Sequence, residues 1–262
     1  MPPSRVALEI AKGLAKITFI NPARHHAIDL QFCQELADAA IQCAAEAKLK
    51  AVLISAIGEV FCVGGDIGDF VANRERINPH VLGMASLFHV AASKLHGLSA
   101  PVIAAVNGMA AGGGFSMVCA SDMAIAKRSA KLNPAYTRTG LTPDGGGTYF
   151  LPRIVGFRKA FEIFATNPTL SADEACALGI VSRVVDDENF NGEVDGLMRQ
   201  IEDAPANVLG ALKRLIRRSE SARLQDQLDA EADSIAAQAA MPATQEKLAA
   251  FLARSKSKGG AR

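Results

Sequence analysis

The sequence predicts an α/β fold: a mainly parallel sheet with helices packed outside it, followed by a helical C-terminal region. Three observations predict it. The runs AVLISAI (51–57), apolar but for Ser55, and VIAAV (102–106) do not alternate between apolar and polar residues, as strands buried on both faces do not. Stretches with helical spacing separate such runs, and repeated strand-turn-helix units call for parallel crossover connections. From about Glu188 onward the chain is rich in Ala, Leu, Arg and Gln with helical periodicity throughout. These features divide the chain into a core over 1–187 and a helical region over 188–262.

Taken in order, VALEI and KITFI flank AKGLA as a hairpin, and LQFCQELADAAIQCAAE (30–46) has helical spacing. AVLISAI follows as a strand, HVLGMASLFHVAASKLHGL (80–98) as a helix and VIAAV as a second buried strand. A glycine turn then opens a further helix, and MAIA (123–126) reads as another strand. In the second half, ANVLGALKRLIRR puts Val208, Leu209, Leu212, Leu215 and Ile216 on one face, with Lys213, Arg214, Arg217 and Arg218 on a solvated one.

Composition narrows the function. With 49% hydrophobic residues, 262 residues can bury a large core. Lys+Arg of 28 against Asp+Glu of 27 leaves a net charge of +1, so no basic footprint points to nucleic acid or an anionic membrane surface. A small-molecule partner is expected. Residues 97–121 carry no charge, but Pro101, Asn107 and the glycines break that stretch into strand, turn and helix rather than a membrane span. Five scattered cysteines without a C-x-x-C pair, and a start (MPPSRVALEIAKG) lacking a basic region followed by an apolar one, predict a cytoplasmic protein. No H-x-x-x-H spacing occurs, and no metal is expected.

Two segments expose backbone where chemistry would use it. "NGMAAGGGFSMVCASD" (107–122) places three glycines where a helix begins after VIAAV. Unpaired N–H groups there, with the positive end of the helix dipole behind them, attract an oxyanion. Neither a Lys-Ser/Thr pair nor G-x-G-x-x-G spacing follows, so this is not a nucleotide loop. "FCVGGDIGDF" (61–70) repeats the device after AVLISAI. Two such turns from neighbouring strands can converge on one developing negative oxygen, each donor being worth ~3 kcal/mol. The alternative is that the small residues only let helix and sheet pack closely.

The ordered blocks NPARHHAIDL, FCVGGDIGDF, PVIAAVNGMAAGGGFSMVCASD, GLTPDGGGTYFLPRIVG and SADEACALGIVSRVV resemble the enoyl-CoA hydratase/isomerase, or crotonase, family over nearly the whole chain. The resemblance implies a crotonase-type ββα spiral (ClpP/crotonase-like) with a helical C-terminal region that packs across subunits, in a homotrimer or dimer of trimers. It implies an acyl-CoA substrate, with coenzyme A present only as part of the thioester and no tightly bound cofactor. It assigns the thioester oxygen to the backbone N–H groups of Gly65 and Gly113. It places adenine against the backbone of Val63, Gly65, Asp66 and Ile67. Arg24 stands where a basic residue meets a coenzyme A phosphate, or else is a solvated loop charge. Phe251 and Lys256 would touch a neighbouring subunit's coenzyme.

The departures from the family pattern direct the chemistry. The two glutamates of its hydratases fall at Ser116 and Tyr136, neither of which is a carboxylate or ionises usefully at ordinary pH. Asp144, in "GLTPDGGGT", is the remaining candidate acid-base group, where non-hydratase branches of the family place one. Its other reading is a turn residue capping the next helix. The expected reaction is a double-bond shift through an enolate, with Asp144 as base and Tyr136 shaping the pocket, donating a hydrogen bond or simply packing. Hydration, thioester hydrolysis, decarboxylation and a non-catalytic acyl-CoA-binding role are the alternatives. His89 and His96, on one helix next to the proposed pocket, read as structural residues, with catalysis, as in some branches of the family, as the second option. His25 and His26 read as surface residues. "GFSMV" around Ser116 lacks the final glycine of a nucleophile elbow, and all five histidines precede it, against a serine hydrolase.

Overall fold

In the computed structural model, residues 3–259 are described; of Ala206 and residues 254–259 only the backbone is. The chain forms two compact units, Met1–Glu202 and Asp203–Arg262.

The first unit begins with a hairpin of β1 (Val6–Ala11) and β2 (Leu14–Phe19), closed by Lys12 and Gly13, both at positive φ, as a primed two-residue turn requires. Helix α1 (Leu30–Ala45) follows, its first turn capped by the Asp29 carboxylate accepting from Phe32 N–H at 2.8 Å. Three times the chain then repeats a long strand, a short strand and helix: β3 (Ala51–Ala56), β4 (Val60–Cys62) with α2 (Ile67–Ala72) and α3 (Ile77–Gly97); β5 (Val102–Val106), β6 (Met109–Ala111) and α4 (Gly113–Ala120); β7 (Met123–Lys127), β8 (Lys131–Asn133) with α5 (Gly147–Val155) and α6 (Phe157–Thr166). The unit ends with β9 (Leu170–Ser171), α7 (Ala172–Ala177), β10 (Arg183–Val185) and α8 (Phe190–Asp203).

The strands sort into two sheets. The long ones form a six-stranded sheet in the order β1-β2-β3-β5-β7-β10, parallel after the first hairpin. The short ones form a second sheet, β4-β6-β8-β9, parallel except for its last pair. This is the ββα spiral of the crotonase fold. Phe19, Phe32, Phe61 and Phe115 are fully buried in the core between strands and helices. Phe19 meets Phe32 and Phe61 at centroid distances of 4.9 and 5.4 Å.

Helix α8 buries Phe190, Val194, Met198 and Ile201. The boundary between the compact units therefore falls at Glu202 rather than at 187. The second unit contains α9 (Ala206–Arg218), α10 (Leu224–Ala239) and α11 (Pro242–Gly259). On α9 the expected division of faces is wrong in detail: Ala211 and Lys213 are buried, whereas Leu212 and Ile216 are exposed. Among the described residues no helix is long and apolar enough to cross a membrane.

Candidate active site

Strand register brings the two glycine turns together. Cys62 of β4 pairs with Ala110 of β6, so Val63-Gly64-Gly65 and Ala111-Gly112-Gly113 leave the short sheet side by side. Gly64 sits at φ +85°, and a Cβ there would lie 2.8 Å from the Ala111 carbonyl oxygen and 3.1 Å from Gly113 N. Only glycine allows that approach. Gly114 packs α4 onto β4 in the same way, with a Cβ position 2.4 Å from the Cys62 carbonyl oxygen.

Both candidate donors are left over by the hydrogen bonding around them. Ile28 and Gly65 form a parallel bridge in which Ile28 N–H donates to Gly64 (2.8 Å) and Asp66 N–H donates to Ile28 (3.0 Å). In that pattern the Gly65 N–H points away from Ile28, and no acceptor meets it among the described residues. Gly113 is the first residue of α4, where no intrahelical acceptor exists. Gly112, at φ +52°, turns the chain into the helix after donating to Asn133 at 3.1 Å. Two uncommitted amides at a helix start suit an anionic oxygen.

A carboxylate lies one side chain away. Ser116, on the first turn of α4, is fully buried, and its Oγ is 2.9 Å from the Tyr136 hydroxyl. Tyr136 in turn donates to Asp144 Oδ1 at 2.8 Å. Burial and then the Asp144 charge hold the Tyr136 phenol well above its ordinary pKa, so it stays a donor. The ring of Phe88 on α3 is shared by the two halves of the site: Cβ atoms at Gly113 and Gly145 would stand 3.5 and 2.4 Å from it. Thus Gly65, Gly113, Ser116, Tyr136 and Asp144 occupy one region. The capping alternative for Asp144 does not hold, because α5 is capped by Gly146 without a side-chain bond and the Asp144 carboxylate turns to Tyr136 instead.

The histidines are rearranged relative to expectation. His26 is not at the surface: it is fully buried, its Nδ1 accepts from Asn21 N–H at 3.2 Å, and its Nε2 donates to the Ile57 carbonyl at 2.9 Å. The reason is local, since His25 and His26 both adopt positive φ and fold the loop back over β2. His89 lies next to the site, with Nε2 accepting from Gly145 N–H at 3.2 Å. His96 packs instead on Phe150 and Tyr149. Ser116 has Tyr136 rather than a histidine as its partner, against a nucleophilic serine.

The residues expected around adenine and phosphate are partly engaged already. Val63 N–H donates to the His25 carbonyl at 3.2 Å. The Asp66 carboxylate caps α2 by accepting from Asp69 N–H at 3.1 Å and forms an ion pair with Arg24, whose side chain is half-exposed. Ile67 is exposed at the start of α2. Phe251 is exposed on α11, and the side chain of Lys256 lies outside the described residues. Among the described residues no three His, Cys, Asp or Glu side chains are grouped to hold a metal ion.

A ββα spiral that ends two adjacent strands in uncommitted amides, with a carboxylate nearby, defines the chain as a crotonase-fold protein. It belongs to the enoyl-CoA hydratase/isomerase family, whose model matches residues 9–259, and it is an acyl-CoA enzyme of that family. It is similar to 4-chlorobenzoyl coenzyme A dehalogenase-2 of Arthrobacter sp, with 32% identity over 94% of this chain and 90% of that protein. It is also similar to the 1,2-epoxyphenylacetyl-CoA isomerase of Escherichia coli (strain K12), with 33% identity over 94% of both chains. Among solved structures, an enoyl-CoA hydratase from Bacillus anthracis superposes with a TM-score of 0.88 at 26% identity, covering 96% of this chain and 97% of that one.

Proposed function

We propose that the chain shifts a double bond within an unsaturated acyl-CoA, with Asp144 as the single base and the N–H groups of Gly65 and Gly113 holding the thioester oxygen. The observation that carries this reading is the hydrogen bond from Tyr136 to Asp144, which leaves the only carboxylate of the network beside the start of α4. With a 3-enoyl thioester, Asp144 takes a proton from C2. The electron pair moves through the C1–C2 bond onto the thioester oxygen, where two backbone donors are worth ~3 kcal/mol each in the transition state. The dienolate then collapses, C4 receives the proton back from Asp144, and the double bond lies between C2 and C3. No water is consumed, which fits Ser116 and Tyr136 in place of a second and third acid.

The reading extends to binding and assembly: the half-exposed Arg24 meets a coenzyme A phosphate, the turn from Val63 to Ile67 lies beside adenine, and the chain works as a homotrimer or dimer of trimers in the cytoplasm. Five free cysteines support a reducing compartment.

The test mixes purified protein with a 3-enoyl-CoA and follows conjugated thioester absorbance, beside Asp144→Asn and a 2-enoyl-CoA hydration control. Isomerisation that disappears in Asp144→Asn, with little hydration, is the expected result. Isomerisation that survives Asp144→Asn removes the base assignment. Tight thioester binding without turnover in either assay favours a binding role.

The position of His89 favours one second reading. A carboxylate aimed at an electron-poor ring carbon displaces halide and forms an ester, and an adjacent imidazole can then activate the water that hydrolyses it. Chloride release from 4-chlorobenzoyl-CoA that requires Asp144, and that stops after about one turnover in His89→Asn, would select this chemistry over the double-bond shift.

A further inference from the structure

We infer that Ser116 and Tyr136 are a positioning pair that reserves one oxygen of Asp144, Oδ1, and so leaves Oδ2 as the atom that takes and returns the proton. The inference rests on the reading of Asp144 as the base. Its direction follows from counting protons. An ionised carboxylate only accepts, so the Tyr136 hydroxyl must donate across the 2.8 Å contact. A phenol has one proton, so at the other 2.9 Å contact Ser116 must be the donor. The chain therefore runs one way, from Ser116 to Tyr136 to Asp144.

The surroundings fix the chain at its buried end. A Cβ at Gly147 would lie 2.7 Å from Ser116 Oγ, and one at Gly145 would lie 3.2 Å from Ser116 Cβ. The glycines of the 145–147 turn thus accommodate the serine, and the serine aligns the phenol. A free carboxylate can rotate and present either oxygen; one held by a charge-assisted bond presents the same oxygen through the cycle. Protonation of Oδ2 leaves the bond at Oδ1 intact, so the base is returned to its starting geometry after each transfer. Titratable groups near Asp144 include His89 on α3 and Cys33 on α1. Burial and then the Asp144 charge push the Cys33 thiol up to about 12, outside any working range.

The kinetic test measures pH profiles of kcat and KM on the 3-enoyl-CoA for wild type, Tyr136→Phe, Ser116→Ala, His89→Asn and Asp144→Asn. Tyr136→Phe is expected to lower kcat about tenfold with KM little changed and to move the acid limb of the profile upward, because the bond to the charged form is lost. Ser116→Ala should act in the same direction by a smaller factor. A limb that disappears in His89→Asn and stays in place in Tyr136→Phe overturns the inference.

An activity-independent arm uses the sequence, which has two tyrosines and no tryptophan. In a Tyr149→Phe background the phenolate absorbance reports Tyr136 alone. Asp144→Asn should lower its titration midpoint by removing a neighbouring negative charge, and Ser116→Ala should raise it by removing the donor to the phenolate. Opposite movements support the one-way chain. Asp144-dependent turnover together with a midpoint indifferent to both changes overturns this inference alone. Undiminished turnover in Asp144→Asn overturns the base assignment and this inference with it.

Discussion

Gly114 stands so close to Cys62 that a single added methyl group would lie 2.4 Å from its carbonyl oxygen. That oxygen belongs to strand β4, whose pairing with β6 sets the two glycine turns beside each other, so it cannot move without disturbing the site. Alanine gains ~1 kcal/mol over glycine in a helix interior, whereas forced overpacking costs ~1–3 kcal/mol, at the upper end against backbone. Gly114→Ala is therefore expected to lose ~2 kcal/mol in urea unfolding and to reduce turnover. Gly83, in the interior of α3 with nothing within 4 Å of its Cβ position, is the control. Gly83→Ala should gain ~1 kcal/mol. Equal effects at both positions would show that α4 does not depend on close contact with β4.

His26 makes stability depend on pH. Its burial lowers the imidazole pKa, the Ile57 carbonyl opposing this and the neighbouring His25 adding to it. The unfolded chain then binds a proton near its ordinary pKa while the native chain does not, so stability rises with pH through that window and falls as the pH drops below ~6.5. The limiting slope for one such group is ~1.4 kcal/mol per pH unit. Urea unfolding of wild type and His26→Gln between pH 7.5 and 5.5 measures it. The wild type should lose more stability on acidification than the variant, and parallel curves would exclude His26 as the source.

The same burial protects the thiols. Desolvation pushes Cys62 and Cys119 up to about 12, Cys33 to about 12 with help from Asp144, and Cys43 to about 11. Alkylation requires the thiolate, present at a fraction of ~10⁻⁴ at pH 8 for a pKa of about 12. Cys176 is half-buried and free. Native protein treated with iodoacetamide should be labelled at Cys176 alone by peptide mass spectrometry, with all five labelled in denaturant. Early native labelling of Cys62 would mean that the turn before Gly65 opens readily.

The part of the fold legible in the sequence is the part built from long, repetitive pattern. β5 is apolar throughout and β3 is apolar apart from Ser55 because their faces are covered, and α1 announces itself by spacing, its Asp29 cap appearing only in the fold. Strands β4, β6, β8 and β9 span only two or three residues and have no period to read, so the second sheet stayed hidden although it aligns the glycine turns. The site divides in the same way. The two glycine turns were legible as bare backbone after buried strands, a pattern that close packing of helix and sheet also produces, and only the family resemblance singled out Gly65 and Gly113 within them. The partner of Asp144 was not, since Pro-Asp-Gly is equally a turn and a cap, and only the folded chain shows the carboxylate rotated onto Tyr136. His26 was misread because a polar His-His pair in a loop looks solvated unless its left-handed backbone is known. The ion pair of Arg24 and Asp66 bridges 42 positions that no local pattern connects.

That ion pair gives a last prediction, in which substrate length separates two roles of one residue. Asp66 is buried and caps α2 directly after Gly65, while Arg24 is half-exposed. Removing the cap with Asp66→Ala should cost ~1 kcal/mol or more and disturb the Gly65 turn, so kcat should fall for every thioester. Arg24→Gln removes an exposed partner, worth under ~1 kcal/mol, and should leave kcat nearly intact. If Arg24 also meets a coenzyme A phosphate, Arg24→Gln raises KM severalfold for a CoA thioester and leaves it unchanged for the corresponding N-acetylcysteamine thioester, which has no phosphate. Equal KM changes for the two thioesters would confine Arg24 to holding Asp66, and a fall in kcat for both would place its effect on the Gly65 turn rather than on the coenzyme.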